Sequence, residues 1–170
     1  MNAMKEIRVE KVTLNIGTGK PGPELEKALK LLKDLSGKKP VETKTTKRIP
    51  TWSLRPGLAI GAKVTLRGKA AEELLGRLLE SIDNQLTKKK FDNEGNFSFG
   101  IKEYIDIPGT TYNMEIGIIG LEVAVTLSRP GFRIKNRNIR KKKIPRRHRI
   151  PKEDAMNFVK EKFKVNFEGE

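Results

Sequence analysis

Three stretches of this chain alternate apolar and polar side chains residue by residue, and a period of two commits them to a sheet with one dry and one wet face. From Ile7 to Ile16, Val12, Leu14 and Ile16 fall on one side while Lys11, Thr13 and Asn15 fall on the other. From Ala59 to Arg67 the apolar set is Ile60, Ala62, Val64 and Leu66, against Lys63, Thr65 and Arg67. From Ile119 to Leu127 every odd-numbered residue is apolar: Ile119, Leu121, Val123, Val125 and Leu127. Antiparallel sheets are the kind that leave one face to water, so they are the expected arrangement here. A fourth stretch, Val41 to Ile49, has β-branched content but is mostly polar, and reads as a strand with a wet face that Pro50 interrupts.

Helical spacing appears between these stretches. Pro23, at a first helical position, precedes Leu25, Ala28, Leu29, Leu32 and Leu35, and Gly37 is the natural stop. Ala70 to Leu86 carries the broadest apolar stripe, Leu74, Leu75, Leu78, Leu79, Ile82 and Leu86, and Lys88, Lys89 and Lys90 supply charge suited to a helix C-terminus. A last helix is expected after Ile150, with Pro151 in its first turn, Glu153 and Asp154 near its positive end, and Ala155, Val159 and Phe163 inward. Short segments are expected near Phe97 to Ile107. The order of elements predicts an α+β fold: a largely antiparallel sheet with helices packed on one face and a polar opposite face. No repeat or linker divides the chain, so residues 1–170 read as a single domain.

Charge narrows the function. The net charge is +15 with a pI near 10.1, which implies attraction to a polyanion. Between Arg129 and Lys152 there are twelve cations and no carboxylate, and removing those twelve leaves 24 basic against 21 acidic residues. The cations of this segment include Arg133, Lys135, Arg137, Arg140, Lys141, Lys142, Lys143, Arg146, Arg147 and Arg149. A block of one sign repels itself, so it is expected to be a mobile arm that orders against phosphates. The chain has no cysteine and no apolar run near the ~20 residues that span a bilayer, so it reads as cytosolic, without disulfides or membrane insertion. The Asn96-Phe97-Ser98 sequon carries no weight in such a chain.

Enzymatic readings fail on spacing. Gly17-Thr18-Gly19-Lys20 looks like part of a phosphate-binding loop, but the positions that need Gly and Ser or Thr hold Leu14 and Pro21. His148, the only histidine, sits in the basic segment and reads as solvated or phosphate-facing, with no second imidazole or thiolate to help it ligate a metal. Asp92 and Glu94 share a polar turn and nothing marks them as an acid/base pair. No catalysis, metal or other cofactor is expected.

The polar strand faces carry cations, amides and hydroxyls that suit phosphates and 2′-hydroxyls, but no aromatic platform for stacking single-stranded bases. Folded RNA fits them; so does a merely solvated face. The loop from Ile49 to Gly57 sets Trp52 among Arg48 and Arg55, where a tryptophan can stack on a base or ribose, or anchor the root of the loop. Both readings stay open from these residues. A nonspecific RNA or DNA chaperone that works through the basic segment is the alternative to a specific binder.

Three runs then resemble one family in order: Val9 to Gly17 (VEKVTLNIG), Gly61 to Gly68 (GAKVTLRG) and Phe91 to Ile101 (FDNEGNFSFGI). They resemble universal large-subunit ribosomal protein number five, and the resemblance covers nearly the whole chain. Arg129-Pro130-Gly131-Phe132 and His148-Arg149-Ile150 before the last helix are similar to its archaeal and eukaryotic branch. The resemblance implies a scaffold role in the large ribosomal subunit, with 5S ribosomal RNA, large-subunit ribosomal RNA, the peptidyl-site tRNA and neighbouring proteins of the central protuberance as partners. Lys11, Asn15 and Thr65 match positions that contact 5S RNA, and Thr13, Lys44, Lys63 and Arg67 join them in the expected RNA-binding set. Lys38 replaces the family's usual glutamine, which turns a specific hydrogen bond into a phosphate contact. The 49–57 loop matches the one that reaches the tRNA elbow, which assigns Arg48, Trp52 and Arg55 to that contact.

Overall fold

The computed structural model describes residues 2–168; Met1, Gly169 and Glu170, the ends of the expected 1–170 unit, lie outside the described residues. Strand β1 (Arg8–Gly17) leads into helix α1 (Pro23–Ser36), followed by β2 (Val41–Lys44), β3 (Ala59–Leu66) and α2 (Lys69–Glu80). Then come β4 (Gln85–Thr87), β5 (Phe97–Ile101), β6 (Leu121–Ser128), the one-turn α3 (Arg133–Asn136), α4 (Lys152–Phe163) and β7 (Asn166–Glu168). Five strands form an antiparallel sheet in the order β2-β3-β1-β6-β5. This is the expected α+β architecture.

Register puts the apolar sets on one side. Val12 pairs with Leu66 and Val125, and Leu14 with Val64 and Val123; Phe97 and Phe99 of β5 continue those two rows. All are buried. Helix α1 lies against β3 and α2 against β1, each offering its leucine stripe to that side. In α1 the buried set is Leu25, Ala28, Leu31, Leu32 and Leu35, so Leu31 faces inward where the spacing pointed to Leu29, which is only partly buried. Gly37 ends the helix in the left-handed region at φ 62°, its N–H donating to the Lys33 carbonyl. A register shift between Val9 and Lys11 gives β1 one extra residue, so Val9 and Val12 can both point inward although three positions apart.

Three expectations need correction. The second helix stops at Glu80 instead of running to Leu86: Asp83 and Asn84 take left-handed φ values of 55° and 53°, and Asn84 N–H donates back to the Leu79 carbonyl. Leu86 is still buried, but on β4, which pairs in parallel with β7. Lys88–Lys90 consequently form a separate turn after that strand. The strand expected from Val41 to Ile49 is only Val41–Lys44, because a register shift against β3 ends the pairing and Ile49 instead bridges to Leu54. Finally, Pro151 occupies the N-cap of α4, just outside its first turn.

Candidate nucleic-acid interface

The sheet face away from the helices is largely polar. One row across it runs Val41, Lys63, Asn15, Glu122, Gly100; the next runs Thr65, Thr13, Ala124, Ser98; beyond that, Lys11 is opposite Thr126. Thus Lys11, Thr13, Asn15, Lys63 and Thr65 share one surface. With strands about 4.8 Å apart, the five-residue row spans on the order of 19 Å. Gly61, opposite Gly17, belongs to the same face, and a Cβ there would meet the Ile16 carbonyl oxygen at 2.6 Å and Thr43 Oγ1 at 2.9 Å. Only glycine fits between those strands without moving them.

The face is more hydrogen-bonding than cationic. Glu122 is opposite Asn15, and Arg67, just past the end of β3, faces Glu10 at 3.5 Å. Lys44 is exposed at the end of the edge strand, next to the register shift, while Lys38 is exposed in the connection before β2. The structure does not seat Lys38 in the rows. Low relief, hydroxyls, an amide and a few lysines suit the shallow surface and sugar-phosphate backbone of folded RNA better than a deep base-reading groove.

Most of the net positive charge sits in the 129–152 segment, which overhangs the Lys11 end of this face. The 129–152 segment, expected as an arm, is tied back to the fold at both of its ends. Arg129 turns inward, only 8% exposed, and donates to the Arg149 carbonyl at 2.9 Å and to Asp154 Oδ2 at 2.7 Å, which ties the start of the segment to its end. His148 is half-buried: its Nε2 lies 2.9 Å from the Pro130 carbonyl and its ring packs edge-on to Phe132. Ile150 is buried against Gly95, where a Cβ would come within 2.7 Å of its Cγ2. Within the loop, Lys135 pairs with Glu94, Arg137 donates to the Arg140 carbonyl, and Lys142 N–H bonds the Ile134 carbonyl.

The segment therefore presents its charge from a closed loop. Arg133, Lys141, Lys142, Lys143, Arg146 and Arg147 are exposed, and none is paired with a carboxylate among the described residues. The Asp92–Asn96 turn is structural: Asp92 accepts from the Glu94 and Asn96 N–H groups and from the Asn96 amide, and Asn96 Oδ1 in turn accepts from Leu127 N–H.

Residues 49–57 form a second projection. Ile49 and Leu54 exchange both backbone hydrogen bonds around a one-turn helix at Pro50–Trp52, with Ser53 left-handed at φ 55°. Leu54 is the residue that anchors the loop, and Trp52 is 70% exposed beside exposed Arg48 and Arg55. Of the two readings its sequence left open, the structure gives Trp52 the outward one.

Phe132, Thr126, Asn96 and Asn136 meet at the Lys11 end of the face; in the sequence, Phe132 and Asn96 stood out only within short motifs, and Thr126 and Asn136 not at all. No short-range pattern joins them, since they come together only when the basic segment folds back. Residues 2–55 match the model described as ribosomal protein L5, and residues 59–158 match the model of the same ribosomal family's C-terminus. A large ribosomal subunit protein uL5 of Sulfurisphaera tokodaii is 50% identical over 97% of this chain and 94% of its own length. Proteins of the same description from Nanoarchaeum equitans and Methanosphaera stadtmanae are 50% and 44% identical, over 95% and 99% of this chain and 96% and 100% of their own lengths.

Proposed function

The chain belongs to the ribosomal protein L5 family, and from that membership we propose that its polar sheet face is the seat of 5S ribosomal RNA. It is a structural, non-enzymatic constituent of the large ribosomal subunit, associated with ribosomal RNA and ribosomal proteins. The observation that carries the finer reading is the register: Lys11, Thr13, Asn15, Lys63 and Thr65 come from two strands yet present their side chains together, opposite the core. Short donors and acceptors on a flat sheet can follow an RNA backbone closely. Lys44 and Arg67 extend this surface at its margins, and Lys38 adds a phosphate contact from beside the edge strand.

The division of labour follows from the charges. The sheet face supplies specificity and position in the central protuberance, while the 129–152 loop supplies affinity by neutralising phosphates of large-subunit ribosomal RNA. The 49–57 loop contacts the peptidyl-site tRNA: exposed Trp52 stacks on a base or ribose, and Arg48 and Arg55 hold adjoining phosphates. Neighbouring proteins of the central protuberance complete the assembly. Residues 1–170 act as one domain, at work in the cytoplasm; among the described residues no helix is long and apolar enough to cross a membrane.

Asn15 gives a direct test. It lies mid-row, partly exposed, opposite Lys63 and Glu122, so Asn15→Ala removes an RNA-facing amide without opening the core. The expected result is a loss of 5S affinity of about five- to tenfold, as for a hydrogen bond worth about 1 kcal/mol or slightly more, with an unchanged melting temperature. Unchanged affinity in a filter-binding or gel-shift titration would refute the assignment.

A further inference from the structure

The basic loop does not stand clear of the sheet. Helix α3 and the returning 143–150 chain overhang the Lys11 end of the polar face and enclose a cleft of about 440 Å³. Sheet residues Lys11 and Thr126 form one side of it, and Phe132 and Ile144 bring apolar surface from the loop. Lys143 and Arg149 also line it, both exposed and, among the described residues, without a carboxylate partner. Its two carboxylates, Glu10 and Glu94, already face Arg67 and Lys135. The Asn136 amide is exposed, and among the described residues no hydrogen bond engages it.

A cleft of this size, apolar-walled with a few convergent polar groups, is the usual form of a site for a small planar ligand. We propose that it takes one unstacked nucleotide of the bound ribosomal RNA: the base packs on Phe132 and Ile144, its edge is read by the Asn136 amide and Thr126 hydroxyl, and its phosphate meets Lys143 and Arg149. The inference rests on the reading of the sheet face as RNA-binding, because the cleft shares Lys11 and Thr126 with that face and so continues it. Charge complementarity points the same way, since the cations left unpaired at the cleft favour a phosphate. Folded RNA commonly offers bulged or looped bases that are splayed out and stacked on an aromatic side chain.

The test compares the full chain with Phe132→Leu, which keeps apolar bulk but removes the aromatic face. Asn136→Ala serves as a second variant at an exposed position without internal hydrogen bonds, where folding is not at stake. Each is titrated against 5S and large-subunit ribosomal RNA over a range of salt, and base reactivity to chemical modification is mapped in the complexes. Phe132→Leu should weaken binding roughly tenfold, because stacking on an aromatic contributes that much or more per base. Its salt slope should match the unaltered chain, since stacking neutralises no phosphate. One base protected by the unaltered chain should become reactive with both variants, while backbone protections along the sheet face persist. Unaltered base protection with both variants would overturn the proposal, and is the outcome if the cleft takes a protein side chain instead. If the unaltered chain itself failed to select ribosomal RNA, the sheet-face reading would be the one to fall, before either variant is made.

Discussion

Replacing Lys141, Lys142 and Lys143 together with glutamine is expected to weaken ribosomal RNA binding by about a hundredfold or more at about 0.1 M salt, and to make its salt dependence shallower. Each cation that neutralises a phosphate contributes about 0.7 to 0.9 to the slope of log affinity against log salt, so three contacts contribute about 2 to 3. If the variant and the original chain converge near 1 M salt, where counterion release adds little, that slope difference amounts to about 10²- to 10³-fold one decade lower. The three lysines are exposed and no carboxylate among the described residues engages them. The triple variant should also fold normally, because the loop is held by Arg129, His148 and Ile150 and not by these side chains. An unchanged slope in titrations at several salt concentrations would show that these lysines do not meet phosphate.

Leu14→Ala is expected to cost about 2–5 kcal/mol of stability, the range for emptying a fully buried leucine site. Leu14 is wholly buried between Val64 and Val123 in the core row of the sheet. Domains of this kind are stable by only about 5–15 kcal/mol, so the loss should lower the urea midpoint steeply. Asn15, its neighbour, points the other way, and Asn15→Ala should stay within about 0.5 kcal/mol of the original. The pair therefore separates the two faces of one strand: one substitution affects unfolding, the other RNA binding. A Leu14→Ala variant with an unaltered midpoint would mean that β1 does not carry the core.

How much of this was legible in the sequence depended on whether the relevant signal was local. Alternation over β1, β3 and β6 located both faces of the sheet, because in a strand the side-chain period alone decides what points inward. Where the period was ambiguous, it misled. Ile82 and Leu86 fall at helical spacing after Leu79, but two left-handed residues, Asp83 and Asn84, reverse the chain between them. The three-residue strands β4 and β7 pair across the length from Gln85 to Glu168, a contact that no local pattern announces. Leu31 is buried as well because α1 presents a broader apolar stripe than Leu25, Ala28, Leu29, Leu32 and Leu35 define.

The interface divides the same way. Lys11, Thr13, Asn15, Lys63 and Thr65 were placed on one face by alternation and are brought together by the β1–β3 register. Glu122, which the same register puts opposite Asn15, shows that the face is less positive than its lysines alone implied. The basic segment was readable as charge but not as structure: its folding depends on Arg129 reaching Asp154 on α4 and on His148 reaching Pro130, both contacts between residues far apart in sequence. An arginine counted among twelve cations gives no sign, in sequence, that it is the buried one.

The most direct test of the central claim is a competition titration of the full chain between its own 5S RNA and a tRNA of similar charge, at about 150 mM salt, where long-range attraction is largely screened. A clear preference for 5S RNA, at least tenfold and lost in part with Asn15→Ala, is the predicted result. Equal affinity for the two RNAs would contradict a specific clamp on the sheet face and leave a protein that binds RNA through the charge of its 129–152 loop alone.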